Sequence, residues 1–85
     1  MTLYDFNGIN LDERAQTVWK HGTFLTTRSA WGCRITLYHV GDFFAEVWHE
    51  PRHNHIVLVR GFKNKALLDA YTDQVDLVEI AEILN

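Results

Sequence analysis

Residues Arg34–Phe62 read RITLYHVGDFFAEVWHEPRHNHIVLVRGF. Three runs rich in β-branched and aromatic residues, RITLYHV, FFAEVWH and HIVLVRGF, are separated by short polar segments, the pattern of consecutive antiparallel strands. Apolar residues occupy both faces of the sheet they would form, so both faces need a cover. In strand 33–38, Cys33, Ile35 and Leu37 alternate with Arg34, Thr36 and Tyr38. In strand 43–49, Phe43, Ala45 and Val47 alternate with Phe44, Glu46 and Trp48. A one-residue slip moves every side chain to the other face, so the two alternations are expected to match. A three-residue loop, His39-Val40-Gly41, achieves this, with Gly41 at the position needing positive φ. It pairs Arg34 with Glu46 and Thr36 with Phe44 on one face, and Ile35 with Ala45 and Leu37 with Phe43 on the other. A two-residue Gly41-Asp42 turn sets Leu37 against Glu46 and mixes the faces, which argues against it.

The second turn is Glu50-Pro51-Arg52-His53-Asn54-His55. Pro51 presets φ, and Asn54 tolerates the left-handed residue that closes a four-residue loop. That register places Val47 opposite Leu58 and Trp48 opposite Val57. One expected face therefore carries Cys33, Ile35, Leu37, Phe43, Ala45, Val47, Ile56, Leu58 and Phe62. The other carries Thr36, Tyr38, Phe44, Glu46, Trp48, Val57 and Val59, with Arg34 at its edge.

Outward from this sheet, Asn10 and Glu13 form a capping-box-like helix start, and Leu11, Ala15, Val18 and Trp19 recur at helical spacing. Gly22 suits a left-handed helix end, so a helix is predicted over 11–21. Residues 3–9 read as an extended arm with an Asn7-Gly8 turn. Thr23–Arg28 is a Thr-rich strand, and Ser29–Gly32 is its turn. Asn64 can cap a last helical region whose stripe is Leu67, Leu68, Tyr71 and Val75. Asp76 and Glu79 repeat a helix start, so a break near Val75–Asp76 and a short helix over 77–84 are expected. The predicted fold is α+β: a four-stranded antiparallel meander with an N-terminal helix and a broken C-terminal helix (α-β-β-β-β-α).

Eighty-five residues form one domain, 1–85, with a modest core. A hydrophobic content of 47% excludes disorder. The lone Cys33 excludes an intrachain disulfide and suits a reducing compartment. The N-terminus lacks a signal-peptide pattern and no apolar run approaches a membrane span, so the cytoplasm is expected, without membrane association. Net charge is −3, unevenly placed: residues 66–85 hold five acidic side chains and no basic one. Such a run reads as a solvated helix face, or more sharply as a docking surface for a basic partner.

Chemistry-bearing groups are few. His49, His53 and His55 beside Glu50 have metal-like composition, but nothing in their spacing makes them converge. Cys33 faces the core without a base beside it. Arg34 and Glu46 read as a cross-strand pair, with Arg60 on the next strand. Tyr38, Phe44 and Trp48 share a face, yet it lacks the basic surround nucleic acid needs, so no nucleic-acid binding is expected. His21 and His39 read as helix-end and turn residues. No P-loop, dinucleotide, zinc-finger or Ser/His/Asp pattern occurs, so neither a catalytic residue nor a cofactor is assigned.

Trp19, Gly22, Phe24 and Leu25, then Leu37, Tyr38, Phe43, Phe44, Glu46, Val47 and Trp48, then Asp73, Gln74, Asp76 and Leu77 match a pattern spanning about residues 11–77. The pattern, W-x-x-G-x-F-L, L-Y…F-F-x-E-V-W and D-Q-x-D-L, resembles a family of small uncharacterised bacterial proteins. The resemblance implies a bacterial, cytosolic, single-domain protein and no activity. The expected function is a non-enzymatic protein-interaction or self-association module. The alternative is a small ligand-binding protein or enzyme using the Arg34/Glu46/Trp48 face. If both helical regions cover one face, Tyr38, Phe44, Trp48, Val57 and Val59 stay in water, and a sheet-to-sheet homodimer recovers about 1.5–3 kcal/mol for each. If they cover opposite faces, that dimer loses its rationale.

Overall fold

The Thr2 hydroxyl accepts the Asp5 amide while the Asp5 carboxylate accepts the Thr2 amide, a reciprocal cap that opens a short helix. In the computed structural model, which describes residues 1–71, this helix is α1, Leu3–Gly8. It replaces the expected extended arm: the capping box at Thr2/Asp5 outweighs the turn signal of Asn7-Gly8. A second helix, α2, spans Leu11–His21 as predicted, capped by Asn10 Oδ1 on the Glu13 amide at 2.9 Å. Four strands follow: β1 (Thr23–Ala30), β2 (Cys33–Val40), β3 (Phe43–Glu50) and β4 (His55–Phe62). They form an antiparallel meander in the order β1-β2-β3-β4. A 3-10 helix, Lys65–Tyr71, closes the described chain, and its second amide, Ala66 N–H, is capped by Asn64 Oδ1. The expected break near Val75–Asp76 and the helix over 77–84 lie outside the described residues.

The register differs from the expected one. Val40 pairs with Phe43 across a two-residue Gly41-Asp42 turn, so Leu37 stands opposite Glu46 and Arg34 opposite His49. Gly41 does take positive φ (60°), at the first turn position, as a type II′ hairpin requires. The four-residue loop after Glu50 forms as predicted, with Asn54 at φ 54° and Glu50 opposite His55. An irregularity between Trp48 and His49 then shifts the ladder, setting Trp48 opposite Leu58 and Val47 opposite Val59. Phe43, Ala45 and Val47 share one face, and Phe44, Glu46 and Trp48 the other. The residues of β2 and most of β4 are exchanged relative to expectation: Thr36, Tyr38 and Val59 join the first set, and Ile35, Leu37, Leu58 and Phe62 the second.

The two faces have separate covers. Helices α1 and α2 lie on the first, where Phe6, Ala15 and Val18 pack with Val40, Phe43, Ala45, Val47 and Val59. The Lys65–Tyr71 helix lies on the second, where Leu68 and Tyr71 pack with Leu37, Phe44 and Phe62. Opposite placement removes the rationale for the sheet-to-sheet dimer. Gly61 shows why α1 can sit so close: a Cβ there would lie 2.7 Å from Leu3 Cδ1 and 2.9 Å from Phe6 Cδ2. Gly22 ends α2 in an extended conformation, φ −83°, not a left-handed one. Its need for glycine is steric, since a Cβ would meet the Val18 carbonyl oxygen at 2.5 Å. Trp19, expected in the buried stripe of α2, is exposed instead.

Candidate functional site

Glu46 sits mid-strand in β3 with its side chain completely buried. A carboxylate in that position must be paired or become protonated. Its partners come from β3 itself and from three other elements. Arg60, directly opposite on β4, donates Nε to Oε1 at 2.7 Å. Arg28, two strands away on β1, donates Nη2 to Oε2 at 3.3 Å. The Tyr71 hydroxyl donates to Oε2 at 2.6 Å, and the Trp48 indole N–H to Oε1 at 3.2 Å. Each carboxylate oxygen thus accepts two donors.

Aromatic rings line the guanidiniums. Arg28 lies 5.7 Å from the Trp48 ring centre and 5.1 Å from that of Tyr71. Arg60 lies 5.9 Å from Trp48 and 6.0 Å from Phe62. Such stacking favours arginine over lysine. Burial pushes the Glu46 carboxyl upward, but hydrogen bonds from Tyr71, Arg60 and Trp48 and the charge of Arg60 outweigh it, holding Glu46 below the usual carboxylate range. Burial and the bond to Glu46 push the Tyr71 hydroxyl well above its ordinary value, against the opposing influence of Arg28. Burial acts first on Arg28 to weaken its charge, yet Tyr71 and Glu46 leave its pKa raised. The cluster is therefore an ionised carboxylate, a neutral tyrosine and two guanidinium ions. Arg28 Nε is buried without a hydrogen-bond partner among the described residues.

Of the expected Arg34/Glu46/Trp48 grouping, Glu46 and Trp48 come together and Arg34 does not. Arg34 projects from the helix-covered face, opposite His49 and Ser29. The residues that take its place, Arg28, Arg60 and Tyr71, had one legible signal: an acid in a strand otherwise apolar on that face needs cationic partners from neighbouring strands. The set Tyr38, Phe44, Trp48, Val57 and Val59 is divided. Phe44 and Val59 are buried in different cores, Tyr38 packs on the helix-side core, Trp48 joins the Glu46 cluster, and Val57 is exposed at the ladder shift. His39 belongs to β2, not to a turn, and its ring lies 5.5 Å from that of Phe44. Desolvation lowers its pKa, against the pull of Asp42.

The histidine turn is organised by Glu50. Its carboxylate accepts the Arg52 and His53 amides at 2.8 and 2.7 Å and meets His53 Nδ1 at 2.9 Å. His49 Nε2 bonds Asn54 Oδ1 at 3.0 Å, and His55 Nδ1 lies 4.0 Å from Glu50. Among the described residues, no three histidine, cysteine or acidic side chains are placed to hold a metal ion. Cys33 is a half-buried free thiol opposite Ala30. Two surface hollows, of about 290 and 380 Å³, share Met1, Thr17 and His21 in their lining; neither reaches the Glu46 cluster. No helix among the described residues is long and apolar enough to cross a membrane.

Compared with known proteins, the chain matches no family model, no curated protein and no solved structure. The resemblance carried by the Trp19–Leu25, Leu37–Trp48 and Asp73–Leu77 motifs accordingly contributes no role to any residue.

Proposed function

We propose that the chain is a small non-enzymatic protein-interaction module that associates with a second copy of itself. The observation that carries this reading is the set of large aromatic side chains left in water: Tyr4, Trp19, Phe24 and Trp31. Tryptophan and tyrosine dominate binding energy at protein interfaces, and three of these four side chains are of those types. The Glu46 cluster supports the same reading. Its carboxylate is saturated with donors and closed to solvent, so it offers no free base or nucleophile. With Cys33 a free thiol, the module is read as cytoplasmic.

One observation favours the alternative, a ligand site on the Glu46/Trp48 face. Two guanidiniums face one carboxylate, Arg28 Nε is unpaired, and Arg60 is partly open to solvent. An anion such as phosphate or a carboxylate is what that surplus of positive charge would take. Titration with phosphate and acetate, read by thermal unfolding against sodium chloride at equal ionic strength, separates the two readings. The module reading expects no saturable shift. A saturable phosphate shift that Arg60→Ala abolishes would overturn it in favour of the ligand site.

A further inference from the structure

The two edges of the sheet are treated differently. On β4, Arg14 of α2 donates Nε to the Val59 carbonyl at 2.8 Å, and Asn7 of α1 accepts the Gly61 amide at 3.4 Å. The helices thus occupy main-chain groups that a further strand would need. Among the described residues, no side chain bonds the main chain of Thr23–Ala30 on β1, and β2 is its one strand neighbour. Natural sheets blunt open edges with lysine, proline, bulges or covering elements. Strand β1 has neither Lys nor Pro, and its one charged residue, Arg28, turns inward to Glu46. Its one irregularity, between Phe24 and Thr26, leaves Thr26–Ala30 as a regular run.

Exposed aromatics stand at both ends of that edge. Phe24 is 58% exposed near its start, five residues beyond Trp19 of α2. Trp31 is 91% exposed just past its end. Trp31 and Gly32 both take positive φ, 56° and 73°, a two-residue hairpin that Asn-Gly ordinarily fills. A bulky residue held left-handed and this exposed packs little against the described residues, and such outliers gather at functional contacts.

We propose that the β1 edge pairs antiparallel with β1 of a second copy, joining two meanders into one eight-stranded sheet. The inference rests on the self-association reading and names its surface. The arrangement is self-complementary. A twofold axis through the middle of Thr26–Ala30 brings Trp31 of each copy beside Phe24 of the other, as an isologous contact requires. Aromatic side chains carry about 150–250 Å² each, so four of them and a five-residue ladder approach the roughly 1,000 Å² a specific interface needs. Backbone pairing supplies the register, and the aromatic pairs supply the specificity.

Sedimentation equilibrium on the full chain tests this, with Trp31→Asn, Phe24→Lys and the double variant. Asn suits the left-handed position and Phe24 is largely in water, so each variant keeps the monomer fold, which circular dichroism checks. The wild type is expected to dimerise by about 100 µM, each single variant to weaken the dimer at least tenfold, and the double variant to be monomeric. Hydrogen exchange should slow in residues 24–30 as concentration rises, and stay unchanged in β4. A monomeric wild type overturns the inference and, with it, self-association, leaving the anion titration to decide whether a ligand site stands in its place. A dimer that neither variant weakens, or one whose concentration-dependent protection falls outside β1, refutes this edge and leaves the module reading intact.

Discussion

On the helix side of the sheet, Phe6 lies over Gly61 with its ring 5.1 Å from Phe43, and the core around it is apolar throughout. On the opposite side, Leu37, Phe44 and Phe62 share their layer with a buried carboxylate, two arginines and a tyrosine hydroxyl. The first face is specified by shape: any residue that fits and is apolar will serve, and a Cβ in the wrong place will not. The second is specified by partners drawn from β1, β3, β4 and the Lys65–Tyr71 helix at once. A dry core tolerates substitution in proportion to volume, whereas a buried charge fails when one partner leaves.

The two faces differ most at Glu46. Glu46→Ala leaves Arg28, largely buried, and Arg60, partly open to solvent, without their shared carboxylate, and should destabilise by about 2–4 kcal/mol in urea unfolding. A loss under about 1 kcal/mol would mean that water reaches the cluster and that the faces differ little. Tyr71→Phe removes one donor to a charged acceptor, with an expected loss of about 1.5–3 kcal/mol. Amide exchange in the Lys65–Tyr71 helix should quicken in the same variant, because the hydroxyl ties that helix to β3.

The dependence on pH separates the faces by charge alone. The folded Glu46 carboxyl sits below its ordinary range, so its stabilising contribution is fully present above the unfolded glutamate pKa of about 4.3 and is lost as pH falls through the folded value. The stability advantage of the wild type over Glu46→Gln should therefore hold from pH 7 down to that point and shrink below it. An advantage constant to pH 3 would assign it to packing.

Gly61→Ala probes the helix face. The added Cβ meets Leu3 and Phe6 well inside van der Waals contact, and about 1–3 kcal/mol should be lost as α1 shifts. The smallest effect has the opposite sign. Trp31→Asn relieves a left-handed tryptophan and should raise monomer stability by roughly 0.5–1 kcal/mol, measured at dilution where association is negligible. A drop instead would show that the Trp31 ring packs within the monomer.

Helix α2, the antiparallel meander and the left-handed turn residues Gly41 and Asn54 were legible in the sequence, because capping, alternation and turn chemistry act over a few neighbouring residues. The alternation within β3 was legible too, and it correctly separated Phe43, Ala45 and Val47 from Phe44, Glu46 and Trp48. The pairing of β2 with β3 was not. The rule that faces should not mix rejects Leu37 opposite Glu46, and the Gly41-Asp42 turn that imposes it is itself a strong hairpin signal. Glu46 is admitted to an apolar layer by Arg28, Arg60 and Tyr71, which lie 18, 14 and 25 residues away in the chain. Only folding brings those donors to one carboxylate, and the ladder shift at Trp48–His49 that aligns Arg60 with Glu46 has no local mark. Local chemistry therefore set which segments are helix, strand and turn. Tertiary structure decided which faces those strands present, because a buried charge is stable or not according to partners that sequence neighbours do not supply.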